Sequence, residues 1–266
     1  MPSSQFSRDL RVQIRVIKAL VKREFIALYG RRGLGFLMMF AEPLVIMGVV
    51  MAIVAYSRLR QPTTFPVLPF VLTGWGIMWM CRYPVQRMAG VLRANASFLY
   101  HRQITVLDIF FGRTILSIFS TLVSFVLLFL LNQALLGDFS FHDPMAIVVS
   151  LLLVIWYTAG MCILCALLSS YTALGDRIIL VVAAGHIFLT GAFAMMDWLP
   201  VEFRTLVLYL PMANATELMR FGFFGDIVTC YYDINYIVFF NIVLTYFTLQ
   251  LFFSMKKTRD PYDMPY

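Results

Sequence analysis

The middle of the chain holds two long apolar segments that decide its fold. Residues 114–136 read TILSIFSTLVSFVLLFLLNQALL, residues 145–168 read MAIVVSLLLVIWYTAGMCILCALL, and eight residues separate them. Neither segment contains Asp, Glu, Lys or Arg. Because a helix needs about 20 consecutive apolar residues to cross the hydrocarbon core of a bilayer, each segment is predicted to be one membrane-spanning helix.

The composition of the whole chain agrees with this prediction. Of its 266 residues, 61% are hydrophobic and only 13% are charged, whereas soluble domains contain roughly half apolar and about a quarter charged residues. The composition excludes a soluble enzyme, a disordered chain and a nucleic-acid-binding module, so no nucleic-acid partner is expected. What remains is an all-α polytopic membrane protein.

Six segments are apolar enough to be predicted spans. Their bounds are about 33–56, 65–81, 114–136, 145–168, 178–196 and 234–253. Residues 1–32 are basic and amphipathic and lack the apolar core of a cleavable signal peptide. The sequence therefore predicts a cytoplasmic amphipathic helix over 1–32, followed by a transmembrane domain over 33–266.

The basic residues predict the orientation of the chain. With the N-terminus in the cytoplasm, 17 Lys and Arg residues fall on the inner side, and four fall on the outer side, at Arg58, Arg60, Arg204 and Arg220. Cytoplasmic loops of membrane proteins carry an excess of Lys and Arg. Both termini are therefore predicted to be cytoplasmic.

The N-terminal helix has one basic and one apolar stripe. The basic stripe comprises Arg8, Arg11, Arg15, Lys18 and Lys22, and the apolar stripe beside it comprises Leu10, Ile14, Ile17, Val21 and Leu28. Such a helix lies in the headgroup layer with its cations over anionic lipid. It is either an anchor only, or an interface helix that also contacts a cytoplasmic partner.

Residues 197–233 are too apolar for an ordinary loop. Val201–Leu210 and Met212–Phe224 each have a helical pattern, and Pro211 separates them. Each piece is too short to span a bilayer. We therefore predict an external re-entrant hairpin, whose backbone must be buried in protein or line a wet cavity.

No motif in the sequence indicates catalysis. The glycine-rich residues 30–35 are not followed by the Gly-Lys-Ser/Thr of a phosphate-binding loop. The three histidines are isolated, and no carboxylates are paired at a membrane surface. The sequence predicts no catalytic site, no metal and no cofactor in this chain.

A carboxylate within the first predicted span is a candidate for a helix kink or gate. Glu42 precedes Pro43 there, and a proline inside a helix frees a carbonyl and favours a kink. Glu42 lies either at a gate or beside the loosened backbone in a structural role.

The predicted cytoplasmic loop over 82–113 contains aromatic residues that would be oddly exposed in a free loop. They lie in the stretch ANASFLYHR at residues 94–102. Apolar residues flanked by polar ones mark a docking surface. This stretch either docks into a partner or folds back on the chain's own helices.

Several blocks of the sequence resemble ABC-2 type export permeases. The first runs from Arg23-Glu24 through Gly33-Leu34-Gly35 to Glu42-Pro43-Leu44. The second, Ala94 to Asp108, is similar to the cytoplasmic loop of capsular-polysaccharide permeases of the KpsM type in Gram-negative bacteria. The third includes Trp198-Leu-Pro200, Leu210-Pro-Met212, Thr216–Arg220 and Gly222–Asp226.

The resemblance implies half of a transporter in the bacterial inner membrane. Two copies of the chain would join two copies of a separate subunit that binds ATP and Mg. The cargo would be a lipid-linked acidic capsular polysaccharide, passed on to periplasmic adaptor and outer-membrane export proteins. The resemblance places the ATPase-coupling helix at Asn95, Ser97, Phe98, Leu99, Tyr100, His101 and Arg102, and external gate helices around Pro211.

Physical reasoning predicts a pathway between protomers. Six helices enclose no lumen wide enough for a sugar chain, so we expect a symmetric dimer. The candidate basic entrance is Arg31, Arg82 and Arg87, and the candidate aromatic wall is Trp75, Trp79 and Tyr83. Arginines at helix ends and interfacial Trp and Tyr also follow from membrane topology alone, so both interpretations stay open.

The sequence thus predicts the permease subunit of an ATP-binding-cassette exporter of capsular polysaccharide. One alternative is an ABC-2 exporter of another cargo, such as O-antigen, teichoic acid or a drug. A second is a membrane-embedded enzyme of polysaccharide assembly, which would need polar residues clustered at one membrane face.

Overall fold

A computed structural model of the protein describes residues 2–29, 40–41, 44–50, 52–53, 56, 67–95, 105–136, 141–171 and 174–258. Within these ranges all regular structure is helical, and no strand occurs. The all-α class predicted from the sequence is therefore confirmed for the described part of the chain.

The structure describes the following helices, in chain order. They are α1 (Pro2–Tyr29), α2 (Val67–Gln86), α3 (Val91–Asn95), α4 (Val106–Leu136), α5 (Pro144–Tyr171), α6 (Gly175–Leu189), α7 (Val201–Leu208), α8 (Pro211–Phe224) and α9 (Ile234–Thr258). Short 3₁₀ turns at Met196–Trp198 and Gly225–Ile227 precede α7 and follow α8. Residues 40–41, 44–50, 52–53 and 56 are also helical.

Three helices in the described ranges are long and apolar enough to cross a membrane. These stretches are Val106–Ala134 in α4, Pro144–Ser170 in α5 and Ile234–Ser254 in α9. They cover the third, fourth and sixth predicted spans. The helix α6 has only 15 residues, about 22 Å at 1.5 Å per residue. Part of the first predicted span lies outside the described residues, so the full set of six spans stays a prediction.

The predicted fifth span, 178–196, extends too far. The helix α6 ends at Leu189, and residues 190–195 form turns. Gly191 lies in this region with φ of +64°, a conformation that glycine adopts without steric cost and that ends a helix.

The loop predicted over 82–113 is shorter than expected, because helices occupy both of its ends. The helix α2 continues to Gln86, and α4 begins at Val106. A capping box explains the early start of α4. The Thr105 amide donates to Asp108 Oδ2 at 2.8 Å, and the Asp108 amide donates to Thr105 Oγ1 at 3.3 Å.

Contacts at their two ends show that α2 and α6 are antiparallel. Gly74, near the start of α2, lies against Ala192, which follows α6. Gly90, which follows α2, donates its amide to Asp176 at the start of α6. The two helices therefore run in opposite directions, and their assignment as the second and fifth spans stays a prediction.

The helices α5 and α9 run in the same direction. Asn241 Nδ2 donates to the Leu153 carbonyl at 3.1 Å, and one turn further along both helices Trp156 Nε1 donates to Thr245 Oγ1 at 2.9 Å. This parallel course is expected for the fourth and sixth spans of a chain that crosses the membrane back and forth.

The helix α8 is the most enclosed element outside the long helices. It packs against α2, α5 and α9, and all of its residues except Phe221 are buried. The preceding helix α7 contains no buried residue. The two pieces predicted within 197–233 are therefore both helical, but one lies in the protein interior and the other lies on its surface.

The close packing of α8 on α5 requires a glycine. A Cβ atom on Gly222 would lie 2.5 Å from Ile147 Cγ1 and 2.9 Å from the Asp143 carbonyl oxygen. Replacing Gly222 with Ala is therefore expected to lower the free energy of unfolding by about 1–3 kcal/mol. Thermal unfolding in detergent should show this as a lower Tm.

A second glycine provides the matched control. A Cβ on Gly185 in α6 would meet only Leu189 Cδ1 at 3.7 Å, which is an ordinary contact. Gly185→Ala should leave Tm unchanged or raise it slightly, because alanine is the better helix former. Equal Tm values for the two variants would contradict the close approach of α8 to α5.

Candidate functional site

The first candidate site surrounds the end of α2. We call the turn 87–90 together with α3 the elbow. The elbow leads from α2 into residues 96–104, which lie outside the described residues. It contacts α1, α4 and α6 through polar side chains.

Arg113 of α4 connects the elbow to α1. Its guanidinium forms an ion pair with Glu24 of α1 and donates to the Arg87 carbonyl oxygen at 3.0 Å. The side chains of Arg113 and Glu24 are only 10% and 7% exposed. Separating a buried ion pair leaves an uncompensated charge, which is costly. Arg113 therefore holds α1 against α4 through Glu24 and holds α4 against the elbow through the Arg87 carbonyl.

Asn95 is the one predicted coupling residue that the structure describes. It is buried at the end of α3, where its Nδ2 donates to the Val91 carbonyl at 2.8 Å and its Oδ1 accepts from Arg23 of α1. Burial lowers the pKa of Arg23, although the carboxylate of neighbouring Glu24 acts in the opposite direction. Asn95 therefore joins the end of α3 to α1.

Asp176 connects the elbow to α6. It accepts hydrogen bonds from the Gly90 amide at 2.8 Å and from Ser169 Oγ at 2.7 Å, and it forms an ion pair with Arg93. Its position in the first turn of α6 suits a carboxylate, because the helix dipole is positive there. Gly90 has φ of +66°, which few other residues adopt easily.

Four of the predicted pathway residues lie together on α2 and the turn after it. The rings of Trp79 and Tyr83 stack with centroids 6.0 Å apart. The guanidinium of Arg82 lies 5.3 Å from the Trp79 ring, and that of Arg87 lies 4.9 Å from the Tyr83 ring. Arg87 also donates to the Tyr83 hydroxyl at 2.5 Å. The basic and aromatic candidates therefore form one alternating stack.

Burial limits what this stack can contact. Trp79 and Tyr83 are only 4% and 3% exposed, so other residues of the same chain cover their rings. Trp75 lies one turn before Trp79 in α2, with its ring edge-on to that of Phe193 at a centroid distance of 5.5 Å.

The second candidate site is an ion pair inside α8. Arg220 Nη1 donates to Glu217 Oε1 at 2.9 Å, and both side chains have zero exposure. The guanidinium also donates to the carbonyls of Ala194 at 2.8 Å and Ala192 at 3.2 Å. It lies 4.5 Å from the centre of the Phe70 ring.

The carboxylate of this pair has its own partners. Glu217 Oε1 accepts from the Met196 amide, and Oε2 accepts from the Tyr231 amide, each at 3.4 Å. The pair therefore connects α8 to the segment after α6, to the segment before α9 and to the start of α2. We call Glu217 and Arg220 with these partners the α8 centre.

The remaining sequence candidates are structural or lie outside the description. Pro211 is the first residue of α8, where proline suits the helix start. His186 is buried between Tyr157, whose hydroxyl lies 3.2 Å from Nε2, and the Val182 carbonyl, 2.8 Å from Nδ1. The candidates outside the described residues are Arg31, Glu42, Pro43, Ser97, Phe98, Leu99, Tyr100, His101 and Arg102.

The charged residues that organise both sites were not predicted as site residues. Arg220 was counted as a basic residue on the outer side, and Glu24, Glu217 and Arg220 lie in the blocks that resemble ABC-2 permeases, but no role was predicted for them or for Asp176. One signal was present: Glu217 and Arg220 are three residues apart within an apolar helical segment, where they share a face and where unpaired charges are costly.

The chain has curated relatives over nearly its full length, although no family model matches it. It is 32% identical over 261 residues to the capsule polysaccharide export inner-membrane protein CtrC of Neisseria meningitidis serogroup A, with 97% of each chain covered. It is 30% identical over 257 residues to the protein of the same description, BexB, of Haemophilus influenzae, covering 96% of this chain and 97% of BexB. The polysialic acid transport protein KpsM of Escherichia coli is 21% identical over 251 residues, covering 94% and 95%.

Removing the charge of Arg220 should strongly destabilise the fold. Arg220→Met would leave the Glu217 carboxylate buried without its cation and two carbonyls without their donor. Breaking a buried pair in this way costs about 3–5 kcal/mol, so we expect a large fall in Tm or a loss of folded protein from detergent extracts.

Two further variants make this result interpretable. The double variant Glu217→Gln, Arg220→Met removes both charges and should recover part of the stability. Arg177→Met removes an exposed arginine. It should change the free energy of unfolding by less than about 0.5 kcal/mol, so its Tm should stay close to that of the parent. A parental Tm for Arg220→Met alone would show that the pair does not hold α8 in place.

Proposed function

This chain belongs to the family of capsule polysaccharide export inner-membrane proteins, and on that basis we propose that it is the membrane-spanning permease subunit of a capsular polysaccharide exporter. The similarity to CtrC and BexB over nearly the full length of each chain carries the proposal. Because the similarity extends over nearly the whole of each chain, it supports a shared function of the entire protein and not only of one segment. The described helices that can cross a membrane agree with this role.

We propose an acidic, lipid-linked polysaccharide as the cargo. The name of the E. coli relative, a polysialic acid transport protein, supports the acidic class. The net charge of the chain, +7, favours attraction of a polyanion. The predicted entrance residues Arg82 and Arg87 add basic groups at the end of α2.

We propose that a separate subunit binds ATP and Mg and supplies the energy. Its contact with this chain would be the coupling segment, with Asn95, Ser97, Phe98, Leu99, Tyr100, His101 and Arg102. The elbow supports this assignment, because α1, α4 and α6 hold the start of that segment through buried or charge-assisted contacts. Because these contacts restrain the start of the coupling segment, a displacement of that segment by the ATPase would move the attached helices and would not only bend the loop.

The helix α6 is our candidate for carrying this motion to the opposite end of the bundle. Its first turn contains Asp176, which binds the elbow. The segment after its last turn contains the Ala192 and Ala194 carbonyls, which bind Arg220 of the α8 centre. Thus one helix of about 22 Å separates two polar anchors, and a displacement of the elbow would act directly on α8.

The course of α8 supports a re-entrant hairpin. Met212 Sδ lies 3.4 Å from Cys81 Sγ in the later half of α2, while Arg220 lies over Phe70 at its start. The helix α8 therefore runs antiparallel along α2 for most of its length. We propose that the hairpin 197–233 opens on the outer side and that both termini are cytoplasmic, as the basic residues predict.

We further propose that the polymer passes between two copies of the chain and then reaches periplasmic adaptor and outer-membrane export proteins. The residues Trp75, Trp79, Arg82, Tyr83 and Arg87 are retained as pathway candidates together with Arg31. Since the rings of Trp79 and Tyr83 are covered in a single chain, they would meet sugar only when α2 separates from its neighbours.

Changing the coupling segment should weaken the contact between this chain and the ATPase subunit. Tyr100→Ala and His101→Ala, each introduced into the complex purified with its ATPase, are expected to reduce both ATPase activity and surface capsule by about tenfold. Tyr246→Phe is the control, because it removes an exposed hydroxyl that, among the described residues, accepts a hydrogen bond from Gln250 alone. If neither activity nor capsule changed, or if the chain alone moved polysaccharide into liposomes, the proposal of a separate motor would be wrong.

Changing Asp176 should separate ATP hydrolysis from export. Asp176→Ala removes the acceptor for Gly90, Ser169 and Arg93, so ATP hydrolysis should persist while export falls several-fold. Asp176→Asn keeps an acceptor but not the charge and should be intermediate. Ser169→Ala removes one donor only and should be near normal. Parallel losses of ATPase activity and export in Asp176→Ala would argue against transmission through α6.

A further inference from the structure

An open apolar groove lies between α1 and α4. Its cavity volume is about 620 Å³, within the range of pockets that hold small molecules. Apolar side chains form its walls, and two lysines complete its lining: Ile14, Ile17, Lys18, Val21, Lys22, Phe25, Ile115, Leu116 and Phe119. Ile14, Ile115 and Phe119 are 43%, 45% and 50% exposed, so the groove is open rather than part of the packed core.

Cations stand at the edge of this apolar surface. Lys18 and Lys22 are one helical turn apart and both exposed, which places their side chains on one face. Within the described ranges neither ammonium has an acidic partner. Glu24, the nearest carboxylate along α1, is already paired with Arg113.

The groove also lies beside a membrane-crossing segment. Its α4 wall, from Ile115 to Phe119, falls within the apolar stretch Val106–Ala134. An apolar trough that is lined by two lysines on α1 and by a helix able to cross a membrane matches an amphiphile with an anionic headgroup.

We propose that the groove binds an anionic phospholipid of the cytoplasmic leaflet, with one acyl chain against Ile115 and Phe119 and its phosphate between Lys18 and Lys22. Charge complementarity selects this occupant over a neutral lipid, and the apolar walls select it over a soluble anion. The bound lipid would join α1 to α4 on the face next to the Glu24–Arg113 pair. This site is independent of the cargo and of export, and it requires only that the chain lies in a membrane.

The test measures lipid retention by the full-length protein. The chain is reconstituted with equal amounts of phosphatidylglycerol and phosphatidylcholine, extracted in mild detergent and analysed by native mass spectrometry. We expect retained phosphatidylglycerol in excess of phosphatidylcholine. The double variant K18Q/K22Q should lower phosphatidylglycerol retention about tenfold, because each basic residue near the membrane surface contributes to anionic lipid binding.

Two comparisons separate a built site from general attraction. The pair R11Q/R15Q removes the same charge from the same helix but from outside the groove, and it should have a much smaller effect. Ile115→Trp keeps both lysines but fills the trough, and it should also lower retention of phosphatidylglycerol. Thermal unfolding of each lipid-free variant checks that the fold is retained.

Three results would overturn the proposal. The first is an equal loss of lipid in K18Q/K22Q and R11Q/R15Q, which would indicate non-specific electrostatics. The second is displacement of phosphatidylglycerol by soluble glycerol phosphate, which would indicate an anion site without a chain-binding groove. The third is dissociation of a dimer by Ile115→Trp without any change in bound lipid, which would assign the groove to a second copy of the chain.

Discussion

The described structure depends most on the ion pair between Glu217 and Arg220. A charge with no exposure to water is tolerated only when a counter-charge and hydrogen-bond partners replace its hydration. This pair obtains those partners from three places that are far apart in sequence. They are the segment after α6, with the Ala192 and Ala194 carbonyls and the Met196 amide, the Tyr231 amide before α9, and the Phe70 ring in α2. The requirement to satisfy two charges therefore fixes where three connections must meet.

The elbow follows the same physical rule at the opposite end of α6. Glu24 and Arg113 are nearly buried, and Asp176 collects an amide, a hydroxyl and a guanidinium. In both places charged groups attach the segments between helices to the bundle, whereas apolar contacts pack the helices against one another. Packed apolar surfaces can slide by small amounts, whereas a buried charge keeps its partner. The polar anchors are therefore the contacts through which, in our proposal, a force on one helix passes to the next.

The sequence predicts the long helices well because the bilayer requires length and apolarity, which are properties of a single segment. It predicts α4, α5 and α9 for that reason. It is less reliable where a neighbour or a cap sets the boundary, as for Thr105 with Asp108 and for Gly191 after α6. It does not predict that Arg113 pairs with Glu24, because the partner of a buried charge is 89 residues away. The grouping of Trp79, Arg82, Tyr83 and Arg87 follows from helical spacing, but the burial of the two aromatic rings does not.

Burial also constrains how such a chain can conduct a polymer. The charged residues that the structure describes in the bundle interior are paired with one another or with the backbone, and the rings of Trp79 and Tyr83 are covered. A polar path through one chain that used the α8 centre would have to expose Glu217 and Arg220, which would break several hydrogen bonds at once. A path between two chains avoids that cost, because each chain keeps its α8 centre intact and contributes only an outer face. The burial of these charges thus supports the proposal that the polymer passes between two copies of the chain.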